Sequence, residues 1–232
     1  WPGVISIQAT LDNGTWHMCS GALIHPQWVL TVARCFIGAG DISRWEVVIG
    51  ASDLSQPGPE AELRHIQTLV VHESYVSATA MNNIALLELE RPVECSDYIQ
   101  LGCVPDGSLA VPELKTCYMA GWRPAPASGQ AATPHLCSLS RCPPVPKSHP
   151  VSPVPPRCGC DPAAAPDPSL PAQGDIGGPL VCKDNDGDYF WLVGLASWGR
   201  GCAGAKRPGV FTSTQHFHNW IQVQMGLVPS EA

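Results

Sequence analysis

The residues best equipped for chemistry in this chain of 232 residues are eleven cysteines and eight histidines. Cys137, Cys142, Cys158 and Cys160 stand in one proline-rich segment with His135 and His149 nearby, a donor set that could be offered to zinc. Their spacing matches no compact zinc module, so disulfides or free thiols are expected there, with no metal and no cofactor. An odd cysteine count leaves at least one thiol free or bonded to another chain. Asn13-Gly14-Thr15 is a glycosylation sequon, which by chance alone is common enough to add little.

Cysteine usage points to a secreted or vesicle-lumen protein. The chain opens on "WPGVISIQ" without a signal peptide, so a targeting segment is expected to have been removed or left out. No apolar run is long enough to cross a bilayer, and no membrane span is expected. The formal net charge of −7 argues against nucleic acid as a partner, since polyanion binding needs a positive field. Only "AKRPG", Ala205 to Gly209, sets two basic residues side by side, and it reads as a solvated turn.

Such side chains need elements to position them, and the pattern of those elements is β. Short apolar and β-branched runs recur between Gly and Pro punctuation: "VISIQAT", "CSGALI", "QWVLTVA", "WEVVIG", "IQTLVVH" and "IALLELE". This spacing reads as antiparallel strands, with residues 1–110 as one small barrel. A second group, "CYMAGW", "GPLVCK", "YFWLVGLASWG" and "PGVFTS", belongs to residues 111–226. Phe217, Trp220, Ile221 and Met225 recur at helical spacing before Gly226, which predicts a C-terminal amphipathic helix. Residues 123–173 hold fourteen of the twenty-four prolines, too many for central strands, so this segment is expected to be irregular and the second barrel incomplete. The whole, residues 1–232, is read as a single domain.

Three stretches now belong together: "LTVARCF", "MNNIALLEL" and "GDIGGPL". With "HMCSGALI", "SWGRGC" and "KRPGVFT" they resemble the trypsin-like serine proteases of the chymotrypsin fold, whose matching patterns are T-A-A-H-C, N-D-I-A-L and G-D-S-G-G-P. Within that family the chain looks most like the acrosins, through "VECSDYIQLGCVP" and the ending "GCAGAKRPGVFTSTQHFHNWI". The match covers residues 1–122 and 174–225, and the proline-rich middle takes no part.

The resemblance implies an all-β, two-barrel fold with a C-terminal helix, and it assigns roles position by position. Arg34 stands at the imidazole position, Asn83 at the carboxylate and Ile176 at the nucleophile. A permanently protonated guanidinium accepts no proton, a neutral amide balances no imidazolium, and isoleucine has no heteroatom to acylate. The oxyanion donors correspond to Gly174 and Ile176. The specificity pocket corresponds to Leu170, Ser197, Trp198, Gly199, Gly201 and Gly209, with Leu170 where members that cut after Arg or Lys keep an aspartate. Ala172 replaces a pocket cysteine, which makes Cys202 a candidate free thiol.

By the same resemblance Trp1 lies downstream of the terminus that activation creates, so Asp175 lacks that partner and is expected to meet His17. Cys19 with Cys35, and Cys117 with Cys182, are implied disulfides. Cys95 or Cys103 would join a light chain, and egg-coat glycoprotein is a partner by family analogy only. Asn13 is a candidate glycosylation site. The expected function is that of a proteolytically inactive acrosin-like homologue acting by binding in the acrosomal lumen. An active endopeptidase with an unrecognised base and nucleophile is the second reading, and a non-functional gene product is the third.

Overall fold

The computed structural model describes residues 3–122, 176–198 and 210–229, and the backbone of two further strands at Pro134–Ser140 and Val151–Pro153. The first half contains β1 (Val4–Leu11), β2 (Gly14–His25), β3 (Trp28–Thr31), β4 (Trp45–Ile49), β5 (Glu62–Val71) and β6 (Ala85–Leu89). Every pairing is antiparallel, and the strands close into a barrel in the order β1-β2-β3-β6-β5-β4. Closure leaves no free edge.

The barrel wall is apolar on both faces where the second half covers it. Val29 of β3 joins Ile5, Ile7, Leu87 and Leu89 in the barrel interior. Its neighbour Leu30 points the other way, into a cluster with Leu86, Leu192, Leu195, Phe217 and Ile221. Burying one such side chain stabilises by about 1.5–3 kcal/mol. The seam between the halves is therefore a second core, and it explains why "WVLT" and "ALLEL" read as continuous rather than alternating runs.

The second half consists of β7 (Thr116–Trp122), β8 (Pro134–Ser140), β9 (Val151–Pro153), β10 (Pro179–Lys183), β11 (Phe190–Trp198) and β12 (Val210–Ser213). Its sheet runs β8-β7-β10-β11-β12-β9 and stays open among the described residues. Proline content predicts an irregular segment over residues 123–173, yet two strands lie within it. Both are terminal in the sheet, β8 against β7 and β9 against β12, where a missing N–H breaks no interior ladder. The rest of that segment, with Cys142, Cys158, Cys160 and His149, lies outside the described residues, as does Ala205 to Gly209. His135 and Cys137 fall within the β8 backbone.

The C-terminal helix, α1, spans His218–Gln224, and Phe217 and Ile221 bury its apolar side in the seam. It ends where the notional stop stands: Gly226 has φ +72°, and the Leu227 N–H donates to the Gln222 carbonyl at 2.9 Å. A left-handed glycine closing a helix in this way satisfies carbonyls that would otherwise lack donors.

Candidate functional site

Strand β3 runs into a tight 3-10 turn, Ala33–Phe36, and the Cys19–Cys35 disulfide ties that turn to β2. Within the turn the Arg34 backbone N–H donates to Asn83 Oδ1 at 2.8 Å, while the guanidinium side chain is exposed. Asn83 is completely buried. Its Nδ2 donates to Ser197 Oγ at 2.8 Å, and its carbonyl accepts from Thr212 Oγ1 at 2.8 Å. The amide thus bonds at both ends without any charge, and it links the first barrel to β11 and β12.

Ile176 precedes β10. Its carbonyl accepts from the Ser20 N–H at 2.8 Å, and the next residue, Gly177, donates to the Ala196 carbonyl at 2.8 Å. Gly177 has φ +81°, and a Cβ there would stand 2.2 Å from the Ser20 carbonyl oxygen, so only glycine fits the turn. The Ile176 side chain is half-buried and packs against the same two apolar clusters as Cys35, the neighbour of Arg34. Two barrels thus bring positions 34, 83 and 176 to one seam.

The side chains at these positions are an exposed guanidinium, a buried primary amide and a half-buried aliphatic chain. None of the three can accept a proton at neutral pH or form an ester. Tyr75 lies near Arg34, and its buried hydroxyl has no hydrogen-bond partner among the described residues. Burial raises the Tyr75 phenol above its ordinary value, with the Arg34 charge pulling against it.

Among the described residues, other serine and histidine pairs do not substitute. His17 Nδ1 lies 2.7 Å from Ser6 Oγ, but Ser6 is fully buried on β1 and out of reach of a substrate. His25 Nδ1 accepts from the Gln27 N–H and His72 Nδ1 from the Ser74 N–H, each at 3.2 Å. Ser197 is buried beneath Asn83, and Trp198 ends β11. Leu170, Ala172, Gly174, Asp175, Gly199, Gly201, Cys202 and Gly209 lie outside the described residues, and with them the contact of Asp175 with His17. Among the described residues no group of His, Cys, Asp and Glu could hold a metal ion.

Cys117 on β7 and Cys182 on β10 form the second disulfide, across paired strands. Cys95 and Cys103 are free and exposed. Two contributors carry no signal in the sequence. Tyr75 comes near Arg34 from the loop before β6, and Thr212 reaches Asn83 across more than half the chain.

A match to the family described as Trypsin covers residues 2–221. Transmembrane protease serine 9 of Rattus norvegicus is 32% identical over 244 aligned residues, which take in the whole of this chain and 22% of that protein. The chain therefore spans less than a quarter of the length of that relative. Among the described residues, no helix is long and apolar enough to cross a membrane.

Proposed function

The chain belongs to the trypsin family of serine protease domains, and from that membership we propose that it is an inactive member, a pseudoprotease acting by binding. The observation that carries this reading is isoleucine at position 176, held by the Ser20 N–H at the seam where the family keeps its hydroxyl nucleophile. Losing the nucleophile alone costs about 10⁶ in turnover, and Arg34 removes the general base as well. Leu170 in place of the pocket aspartate takes away charge selectivity for basic side chains.

The finer part of the proposal is an acrosin-like role in the acrosomal lumen, with a light chain bonded through Cys95 or Cys103. Two exposed free thiols suit such a bond, and two disulfides within the chain suit an oxidising compartment. Egg-coat glycoprotein is the binding partner that the resemblance suggests. The test is turnover of fluorogenic peptides with basic, aromatic and small residues at the cleavage position, beside a non-reducing gel of the chain coexpressed with an acrosin-type light chain. We expect no turnover above a blank, and a covalent pair lost in the double variant Cys95→Ser, Cys103→Ser. Turnover that copurifies with the chain would overturn the inactive reading, and absence of a covalent pair the light-chain reading.

A further inference from the structure

The proposed function makes no use of the sequon at the turn between β1 and β2. Leu11 pairs with Gly14, so Asp12 and Asn13 form a two-residue turn, and residues 10–16 are all exposed. Asn13 is nonetheless held: its Oδ1 accepts from Trp16 Nε1 at 3.1 Å, while among the described residues Nδ2 donates to nothing. The oxygen is fixed and the nitrogen is presented. Thr15, the third sequon residue, pairs its hydroxyl with Thr10 across the hairpin at 3.0 Å. Trp16 is 51% exposed, a large apolar surface beside the turn it bonds.

We propose that Asn13 carries an N-linked glycan whose first sugar rests on the Trp16 indole. In the transfer, Asn13 Nδ2 bonds to the anomeric carbon of a lipid-linked oligosaccharide pyrophosphate. The anomeric carbon–oxygen bond breaks, the lipid pyrophosphate leaves with the electron pair, and the proton that the amide gives up ends on that leaving group or in solvent. Oδ1 forms no new bond, so in the folded, modified chain it still accepts from Trp16 Nε1 and sets the direction in which the sugar leaves the turn. The electron-rich indole face then meets the sugar C–H edge. The two disulfides require an oxidising secretory compartment, where this donor is met.

The test is secretion of the full chain from a eukaryotic host, followed by peptide mapping after enzymatic deglycosylation in heavy-oxygen water, which separates a former glycan site from spontaneous deamidation of Asn13-Gly14. We expect label at Asn13 in the parent and in Thr15→Ser, and none in Asn13→Gln or Thr15→Ala. An unmodified Asn13 peptide in the secreted parent would overturn the site. For the stacking, proton NMR of the N-acetyl methyl on the first sugar should show an upfield ring-current shift in the parent that Trp16→Leu abolishes. Equal shifts in the two proteins would overturn the contact.

Discussion

At the scale of the residue, Asn83 shows how one uncharged buried side chain ties two halves of a fold together. It receives the Arg34 N–H and engages Ser197, so both halves depend on it although it bears no charge. Asn83→Ala leaves the part-buried Arg34 N–H and the buried Ser197 hydroxyl without this partner, and we expect a loss of about 1–3 kcal/mol by denaturant unfolding. Asn83→Asp can accept both of those bonds and should lose less, and equal losses for the two variants would contradict the bonding described. Gly177→Ala should cost at least about 1–3 kcal/mol from its positive φ alone, before the overlap with Ser20 is counted. A variant as stable as the parent would mean that the turn is built differently. Arg34, Asn83 and Ile176 each stand in a recognisable run and could be singled out in the sequence, whereas the partners of Asn83 could not. Ser197 and Thr212 are distant in the chain, and no local pattern announces a hydrogen bond across the seam.

At the scale of the element, α1 is docked through aromatic contacts with His72. The imidazole lies 5.2 Å from the Phe217 ring and 5.1 Å from that of Trp220, whose Nε1 donates to Glu73 Oε2 at 3.1 Å. Burial lowers the His72 pKa below its ordinary value, the Glu73 charge pulls it back up, and His216 pushes it down again. The folded pKa therefore lies below the unfolded one, near about 6.5. Stability from the neutral ring is complete above that value and is lost as pH falls through the folded pKa. Unfolding at about pH 7.5 and about pH 5.5 should show the parent losing more stability than His72→Phe on acidification, and an identical loss in both would contradict this. The helical spacing of Phe217 and Ile221 made the helix readable, but its docking partner comes from a loop with no periodicity. β8 and β9 were missed for a different reason: proline forbids interior ladders but tolerates the two ends of a sheet.

At the scale of the whole molecule, a closed first barrel and a second sheet, open among the described residues, share one seam core, and Asn83 and Ile176 lie along that seam. The architecture was readable because motif order and apolar runs agree. The two-faced burial of β3 and β6 was not, since it depends on what the second half lays over them. With a net charge of −7 the chain should pass through immobilised heparin at about 0.15 M salt, and retention there would point to a local basic surface. The most direct measurement is intact mass after exposure to a serine-directed phosphonate, with an active trypsin in the same tube as the positive control. We expect the control to gain one adduct and this chain to keep its mass unchanged. A stoichiometric adduct on this chain, formed in step with the disappearance of peptide turnover, would contradict the proposal that the chain is an inactive member of its family.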